Sequence, residues 1–322
     1  MLTLPNDRPT EAALLHSCLP DGALGELIAA LAGTLPAIAA RLGAGKLPGD
    51  PAAACGQNES GDVQKALDVG AHDHVLAALA GRGVRHVLSE EAEAVELVDP
   101  DGAFDLAIDP IDGSGSIGIG APLGMLFAIY PTGPADFRRP GREAVAAGYA
   151  SFGHSLDFGF TAGQGVQIAT HDGRDFRIAA RDVRLKHQAS TIAYNASNER
   201  HWSPGLQAWA TELRAGAEGP RGRDFNMRWL AAAVGELHRI LLKGGAFLYP
   251  ADRREGYREG RLRLAYEAVP IACLIEAAGG RATDGTRRIL DLLPDSPHQN
   301  VPLVFGAAEE VGIIERHLSE ET

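Results

Sequence analysis

Leu24, Leu27, Ile28, Leu31 and Leu35 recur at the spacing of one buried helical face. Residues 11–42 therefore read as helical, with Pro36 either kinking that helix or opening a second. Gly43 through Gly61 is rich in Gly, Pro and Ala and reads as a mobile loop. Val63, Leu67, Val75 and Leu79 restore the helical spacing over 63–79, with Asp62 placed to cap that helix. From residue 84 to about 180 the pattern changes to short apolar runs between Gly-rich turns: Val84–Leu88, Leu106–Ile108, Gly124–Tyr130, Ala144–Phe152 and Gly165–Ala169. These predict a meandering, largely antiparallel sheet. Arg181–Lys186 is polar and reads as a domain crossing.

The second half alternates. Strands are predicted at Thr191–Tyr194, Ala246–Tyr249, Leu262–Tyr266 and Val301–Gly306. Helices are predicted at Trp202–Arg214, Arg228–Leu242, Pro270–Ala278 and Glu309–Leu318, with a charged loop over Asp252–Gly260. No internal repeat is visible. The pattern implies layered α and β with two sheets.

The 322 residues allow one large or two medium domains. A net charge of −12 argues against a nucleic-acid scaffold, which needs a basic face. Aromatics are only 6%, so the core is expected to be mostly Ala, Leu, Val and Ile. Cys18, Cys55 and Cys273 are few, odd in number and widely spaced, unlike a disulfide framework. No signal peptide is apparent, no apolar run approaches a membrane span, and a reducing cytoplasm is expected.

Against that background Asp109-Pro110-Ile111-Asp112-Gly113-Ser114 stands out. It follows the Leu106–Ile108 run, so two carboxylates are expected in the turn at a strand's end. Gly113, Ser114, Gly115 and Ser116 follow, with backbone N–H groups able to face an anion. Carboxylates for a hard cation beside amides for a phosphate point to metal-assisted phosphate chemistry. A plain polar turn would use the same residue types. Ser89-Glu90-Glu91 at the end of a second strand adds further acid, and Asp62 and Asp68 flank Lys65 upstream.

Competing motifs fail on spacing. Around Gly45-Lys46 the P-loop pattern lacks its first Gly, at Ala40, and its Ser/Thr, at Leu47. Asp109 and Asp112 are three apart, which excludes Asp-x-Asp and EF-hand patterns. Ser114 lacks the flanking glycines of a nucleophile elbow. Gly118, Gly120 and Gly124 miss the dinucleotide spacing by one residue. There is no Cys-x-x-Cys and no His-Glu-x-x-His.

Taken together, Gly61–Asp68, Ser89–Glu91, Asp109–Ser114, Arg228–Arg239, Lys243–Pro250 and Arg261–Glu267 resemble a class I fructose-1,6-bisphosphatase over most of the chain. The Asp-Pro-x-Asp-Gly signature alone reaches only a wider lithium-sensitive sugar phosphatase superfamily. The Tyr266-Glu267…Pro270…Glu276…Gly279-Gly280 segment is more specific, since inositol monophosphatases carry a Trp-Asp-x-Ala type there. The resemblance implies an α-β-α-β-α sugar phosphatase fold with a mixed, largely antiparallel N-terminal sheet and a second C-terminal sheet. It implies a metal- and 1-phosphate-binding domain over 1–183 and a sugar- and 6-phosphate-binding domain over 184–322.

By the same resemblance Glu90, Asp109, Asp112, Glu267 and the Ile111 carbonyl would ligate two or three Mg²⁺, with Mn²⁺ an alternative. Asp68 and Glu91 would either stand behind the metal ligands or activate the attacking water. Gly113, Ser114 and Gly115 would receive the 1-phosphate. Asn195, Arg228, Tyr249 and Arg261 would hold the 6-phosphate, Arg228 from a neighbouring subunit of a homotetramer. The loop before Asp62 would close over the metals. Arg253, Arg254 and Arg258 read as a solvated run.

Departures from the family bear on specificity and control. Trp229 and Asn198 stand where the family has tyrosines at the 6-phosphate pocket, so sedoheptulose 1,7-bisphosphate is an expected second substrate. Ala103-Phe104 and Pro131 replace the Lys-Tyr pair and the Arg of the family's AMP site, which predicts weak or absent AMP inhibition. The cysteine-bearing insertion of redox-regulated chloroplast relatives is missing. The expected activity is Mg²⁺-dependent hydrolysis of the 1-phosphate of fructose 1,6-bisphosphate, in gluconeogenesis or a Calvin-type cycle. The alternatives are an inositol monophosphatase-like enzyme and a non-catalytic sugar-phosphate-binding regulator.

Overall fold

The computed structural model describes residues 11–57, 63–163 and 165–320. In chain order the elements are α1 (Ala23–Gly43), β1 (Ala54–Gln57), β2 (Val63–Lys65), α2 (Ala66–Leu79), β3 (Val84–Ser89), β4 (Glu96–Leu97), β5 (Phe104–Asp112), β6 (Leu123–Pro131), β7 (Ala146–Phe152), β8 (Leu156–Thr161), β9 (Val166–His171) and β10 (Phe176–Val183). Then follow β11 (Thr191–Ala193), α3 (Pro204–Ala215), β12 (Asn226–Met227), α4 (Ala233–Lys243), β13 (Ala246–Tyr249), β14 (Leu262–Arg263), α5 (Val269–Ala277), β15 (Arg281–Thr283), β16 (Asn300–Val301), β17 (Leu303–Gly306) and α6 (Ala308–Ser319).

An eight-stranded sheet runs β10-β9-β8-β7-β6-β5-β3-β4, and a five-stranded sheet runs β12-β11-β13-β17-β15. Among the described residues of the large sheet, only the β3–β5 pair is parallel. Strand periodicity sorts side chains into three cores. On β6, Met125, Phe127 and Ile129 pack with α1 and α2, while Leu126, Ala128 and Tyr130 face α4 and α5. On β13, Phe247 joins that same middle core, while Ala246 and Leu248 pack with α3 and α6. The layers therefore read α1/α2, large sheet, α4/α5, small sheet, α3/α6, the α-β-α-β-α order that the resemblance implied.

Several boundaries differ from the sequence pattern. Helix α1 begins only at Ala23 and runs unbroken through Pro36. Residues 63–65, expected as helix, pair with β1 as a hairpin, so part of the presumed loop is ordered strand. Helix α2 then starts at Ala66, where the Asp68 carboxylate accepts the Lys65 N–H at 3.1 Å. Helix α4 starts five residues later than expected, and β14 gives way to a π turn over Leu264–Ala268. β8 and β10 fill gaps that the apolar runs left unassigned. The readings of Asp62 and Gly61 lie outside the described residues.

Contrary to the expectation from the sequence, α1 is by length and composition long and apolar enough to cross a membrane. Its Leu27, Ile28, Leu31 and Leu35 are fully buried in the core beneath the large sheet. That packing is what the 3.6-residue spacing requires of a core helix.

Candidate active site

The two aspartates of the Asp-Pro-Ile-Asp stretch lie within β5 rather than in a turn beyond it. The strand survives because the pairing with β6 shifts register between Asp109 and Asp112, where Pro110 has no N–H to offer. The Asp109 carboxylate accepts the Ile111 N–H at 2.8 Å, which satisfies that interrupted backbone locally. Gly113 ends the strand at φ +80°, and a Cβ there would lie 2.6 Å from the Ala232 Cβ. Only glycine fits this left-handed, crowded position. A 3₁₀ turn over Ser114–Ser116 follows, using the Ser116 and Ile117 amides for its own bonds.

Three elements from distant parts of the chain meet at β5. Carboxylate oxygens of Asp109, Asp112 and Glu267 all lie within 4.8 Å of one another, and all three residues are buried. Glu267 sits in the π turn after β14, where its carboxylate accepts the Arg263 N–H. Asp112 accepts the Val234 N–H at 2.6 Å. That amide is one of the unpaired donors in the first turn of α4, so the helix N-terminus faces the acid. Ala231, at φ +60°, makes the turn that brings α4 to this position. Glu90, whose N–H bonds the Ile108 carbonyl at 3.1 Å, lies close enough for its charge to act on Asp109 and Glu267.

Burial dominates the electrostatics. It pushes the Asp112 carboxyl up to about 6 against the helix amide. It pushes Glu90 up to about 8, with the Glu91 charge adding to the rise. Asp109 and Glu267 are driven well above the carboxylate range by burial and then by Glu90 and Asp112. Crowded, buried anions hold protons, and the Arg263 charge only partly opposes the rise at Glu90 and Glu267. Hard oxygen donors in this arrangement suit Mg²⁺ or Mn²⁺, which would displace those protons.

Beside the cluster, Asp68 is buried, with one carboxylate oxygen on the Lys65 N–H and the other without a hydrogen-bond partner among the described residues. Burial, then the Glu91 charge, raises its carboxyl to about 7. Gln64 on β2 clamps Glu91 through its carbonyl at 3.0 Å and its carboxylate at 2.8 Å. The Lys65 ammonium bonds the Ser114 carbonyl, tying the β1–β2 hairpin to the glycine turn. Ser89 Oγ bridges the Glu91 N–H and His72 Nδ1.

The distal residues gather at one end of the small sheet. β11 and β13 run parallel with Ala193 opposite Phe247, so Asn195 and Tyr249 leave the sheet at the same edge. Trp229 stacks on Phe247 at 5.6 Å and meets Tyr249 edge-on at 6.3 Å. Asn195 caps the turn that carries Asn198, accepting the Ser197 N–H at 3.1 Å. Arg261 is exposed and lies six residues before Glu267, at the entrance to β14. Arg228 sits on the exposed edge by β12, its guanidinium on the Met227 carbonyl at 2.8 Å.

Arg254 departs from the solvated run expected of it. It is half-buried, doubly bonded to the Asp252 carboxylate and stacked 3.8 Å over the Tyr257 ring. Tyr257, Asp252, Gln64 and the Val234 amide were not singled out from the sequence. For Tyr257 the available signal was an aromatic residue amid charges. For Val234 there was none, because a backbone donor leaves no mark in residue type.

Residues 17–176 match the family described as the N-terminal domain of fructose-1-6-bisphosphatase, and residues 185–319 match its C-terminal domain. A class 1 fructose-1,6-bisphosphatase of Brucella anthropi is 48% identical over 301 residues, covering 92% of this chain and 88% of the relative. That of Brucella suis is 50% identical over 277 residues, covering 85% and 82%. The crystal structure of Leishmania major fructose-1,6-bisphosphatase in holo form superposes with a TM-score of 0.89 at 27% identity, covering 97% of this chain and 100% of that one. Its apo form gives 0.84 at 25% identity, covering 96% and 99%. With both halves matched and close relatives aligned over most of their length, the chain belongs to the class 1 fructose-1,6-bisphosphatase family.

Proposed function

We propose that this protein is a metal-dependent phosphatase that removes the 1-phosphate of fructose 1,6-bisphosphate. The observation that carries the reading is the buried Asp109–Asp112–Glu267 cluster beside a glycine turn and at a helix N-terminus. Such a cluster has little structural purpose of its own, because packing like charges together in the interior is unfavourable. Glu90, Asp109, Asp112, Glu267 and the Ile111 carbonyl would hold two or three Mg²⁺ or Mn²⁺. When bound, these ions would polarise the phosphoryl oxygens and acidify the attacking water.

The remaining chemistry falls to the chain. Gly113, Ser114 and Gly115 would receive the 1-phosphate on backbone amides. Asp68, titrating near 7, is suited to take the proton of the attacking water, with Glu91 orienting that water under the Gln64 clamp. Asn195, Tyr249 and Arg261 would anchor the distal phosphate, and Arg228 would reach in from a neighbouring subunit of a tetramer. The metal and 1-phosphate residues fall mostly within 1–183 and the distal set within 184–322, with Glu267 crossing between them. We assign the protein to the cytoplasm and to gluconeogenesis or a Calvin-type cycle. Trp229 and Asn198 reshape the distal pocket and leave room for sedoheptulose 1,7-bisphosphate.

The test is phosphate release with Mg²⁺ from fructose 1,6-bisphosphate, sedoheptulose 1,7-bisphosphate and inositol 1-phosphate, with Asp112→Ala as control. Turnover of the bisphosphates, lost in the control, is expected. Turnover of inositol 1-phosphate alone would replace the reading with an inositol phosphatase. Binding of the bisphosphate with no turnover of any substrate would leave a sugar-phosphate-binding regulator.

A further inference from the structure

The 252–261 segment is a closed loop built around one aromatic ring. The Asp252 N–H bonds the Tyr257 carbonyl, the Tyr257 N–H bonds the Arg254 carbonyl, and the Gly260 N–H returns to the Tyr257 carbonyl. Gly260, at φ +78°, fixes the exit, since a Cβ there would lie 2.2 Å from the Val301 carbonyl carbon. Two guanidinium groups lie over the Tyr257 ring, Arg254 at 3.8 Å and Arg261 at 5.1 Å from its centroid.

Two like charges on one ring repel unless one is neutralised. Asp252, itself buried, takes Arg254 in a two-pronged ion pair. Arg261 stays exposed and, among the described residues, is paired with no carboxylate. Arg254 thus closes the loop while Arg261 keeps its charge for an anion. Burial pushes the Tyr249 hydroxyl up, Tyr257 adds to the rise, and Arg261 and Arg254 oppose it, so all four side chains share one electrostatic neighbourhood.

We propose that Tyr257 is a positioning residue that pre-stacks Arg261 for the distal phosphate, making the Asp252–Arg254–Tyr257 loop a selector for sugar phosphates that carry a second phosphate. The inference rests on the bisphosphatase reading above. A free arginine gives up rotamer freedom when it grips an anion, and a side chain already laid on a ring gives up less.

The test compares wild type, Tyr257→Leu and Tyr257→Phe on fructose 1,6-bisphosphate and on fructose 1-phosphate. Losing a partly exposed cation–π contact is expected to raise the bisphosphate KM about tenfold in Tyr257→Leu, with kcat within about twofold. Turnover of fructose 1-phosphate, which has no distal phosphate, should not change, and Tyr257→Phe should restore the KM. An unchanged KM in Tyr257→Leu overturns the proposal. So does an equal loss on both substrates, which marks a merely structural role. So does a Tyr257→Phe variant as weak as Tyr257→Leu, which would make the hydroxyl a direct ligand. If wild type hydrolyses neither sugar, the bisphosphatase reading fails. Equilibrium binding of fructose 6-phosphate to the three proteins then decides Tyr257 alone, with equal affinities overturning its role.

Discussion

Replacing Asp68 by Asn removes a buried acid whose carboxyl is held at about 7 against an ordinary value of 3.8. At pH 8 the wild-type group is ionised inside the fold, next to Glu91 and with one oxygen unpartnered. A shift of this size corresponds to roughly 4 kcal/mol of strain on the charged form. Local relaxation lowers that figure, so a gain of about 2 to 4 kcal/mol is expected for Asp68→Asn at pH 8. The sign follows from the raised pKa. The wild-type fold holds its proton below pH 7, so its stability is fully present below about 4 and is lost as pH rises through 7. The gain from Asn should therefore be small at pH 4, grow between pH 4 and 7, and level off above. The assay is urea or thermal unfolding of both proteins in a metal chelator across that range, where the pH 8 gain corresponds to about 3 to 6 °C in Tm. Phosphate release with Mg²⁺ should fall about 10²- to 10⁴-fold in the same variant, as expected for a lost general base. A variant less stable than wild type at pH 8, or a gain independent of pH, would refute the reasoning.

Other predictions rest on separate features. Gly113→Ala, placed at φ +80° with its Cβ 2.6 Å from Ala232, should lose most phosphatase activity and unfold at lower urea; near-normal kinetics would show that the turn relaxes freely. Burial holds the His238 imidazole below its usual 6.5, bonded through Nδ1 to the Tyr149 hydroxyl at 2.8 Å. A base with a lowered folded pKa loses stability as pH falls below the unfolded value, so wild type should lose stability as pH falls below about 6.5 more steeply than His238→Gln; parallel urea midpoints would contradict this. AMP should inhibit weakly or not at all, since Phe104 and Pro131 pair across the sheet and the nearby Arg139 is engaged by Asp105, Glu143 and the Pro131 carbonyl. Inhibition at micromolar AMP would sink that expectation.

That the chain layers α and β around two sheets was legible because period-2 and period-3.6 patterns carry burial directly, as on β6 and α1, whereas the order of the layers came from the family resemblance. The strand through Asp112 was not, because Pro and Gly signal a turn locally while the pairing with β6 overrides them. The β14-to-π-turn transition was hidden for a similar reason. Leu262–Tyr266 alternates like a strand, yet the Glu267 carboxylate takes the Arg263 N–H and bends the chain. Asp109 and Asp112 stood out in the sequence because two carboxylates precede a glycine run, a pattern that a polar turn shares, while Glu267 was named only through the family resemblance. Their convergence could not, because it depends on α4 and the π turn arriving from more than a hundred residues away. Arg254 shows the opposite failure: composition marks it as solvent-facing, whereas Asp252 and Tyr257 hold it in place.

The central claim is that the phosphate at carbon 1 is cleaved at the carboxylate cluster while the distal phosphate is held near Tyr249 and Arg261. ³¹P NMR of fructose 1,6-bisphosphate during turnover with Mg²⁺ tests both halves at once. The account predicts fructose 6-phosphate and inorganic phosphate as the sole products, with no reaction in Asp112→Ala. Fructose 1-phosphate as product, or undiminished turnover in that variant, would contradict it.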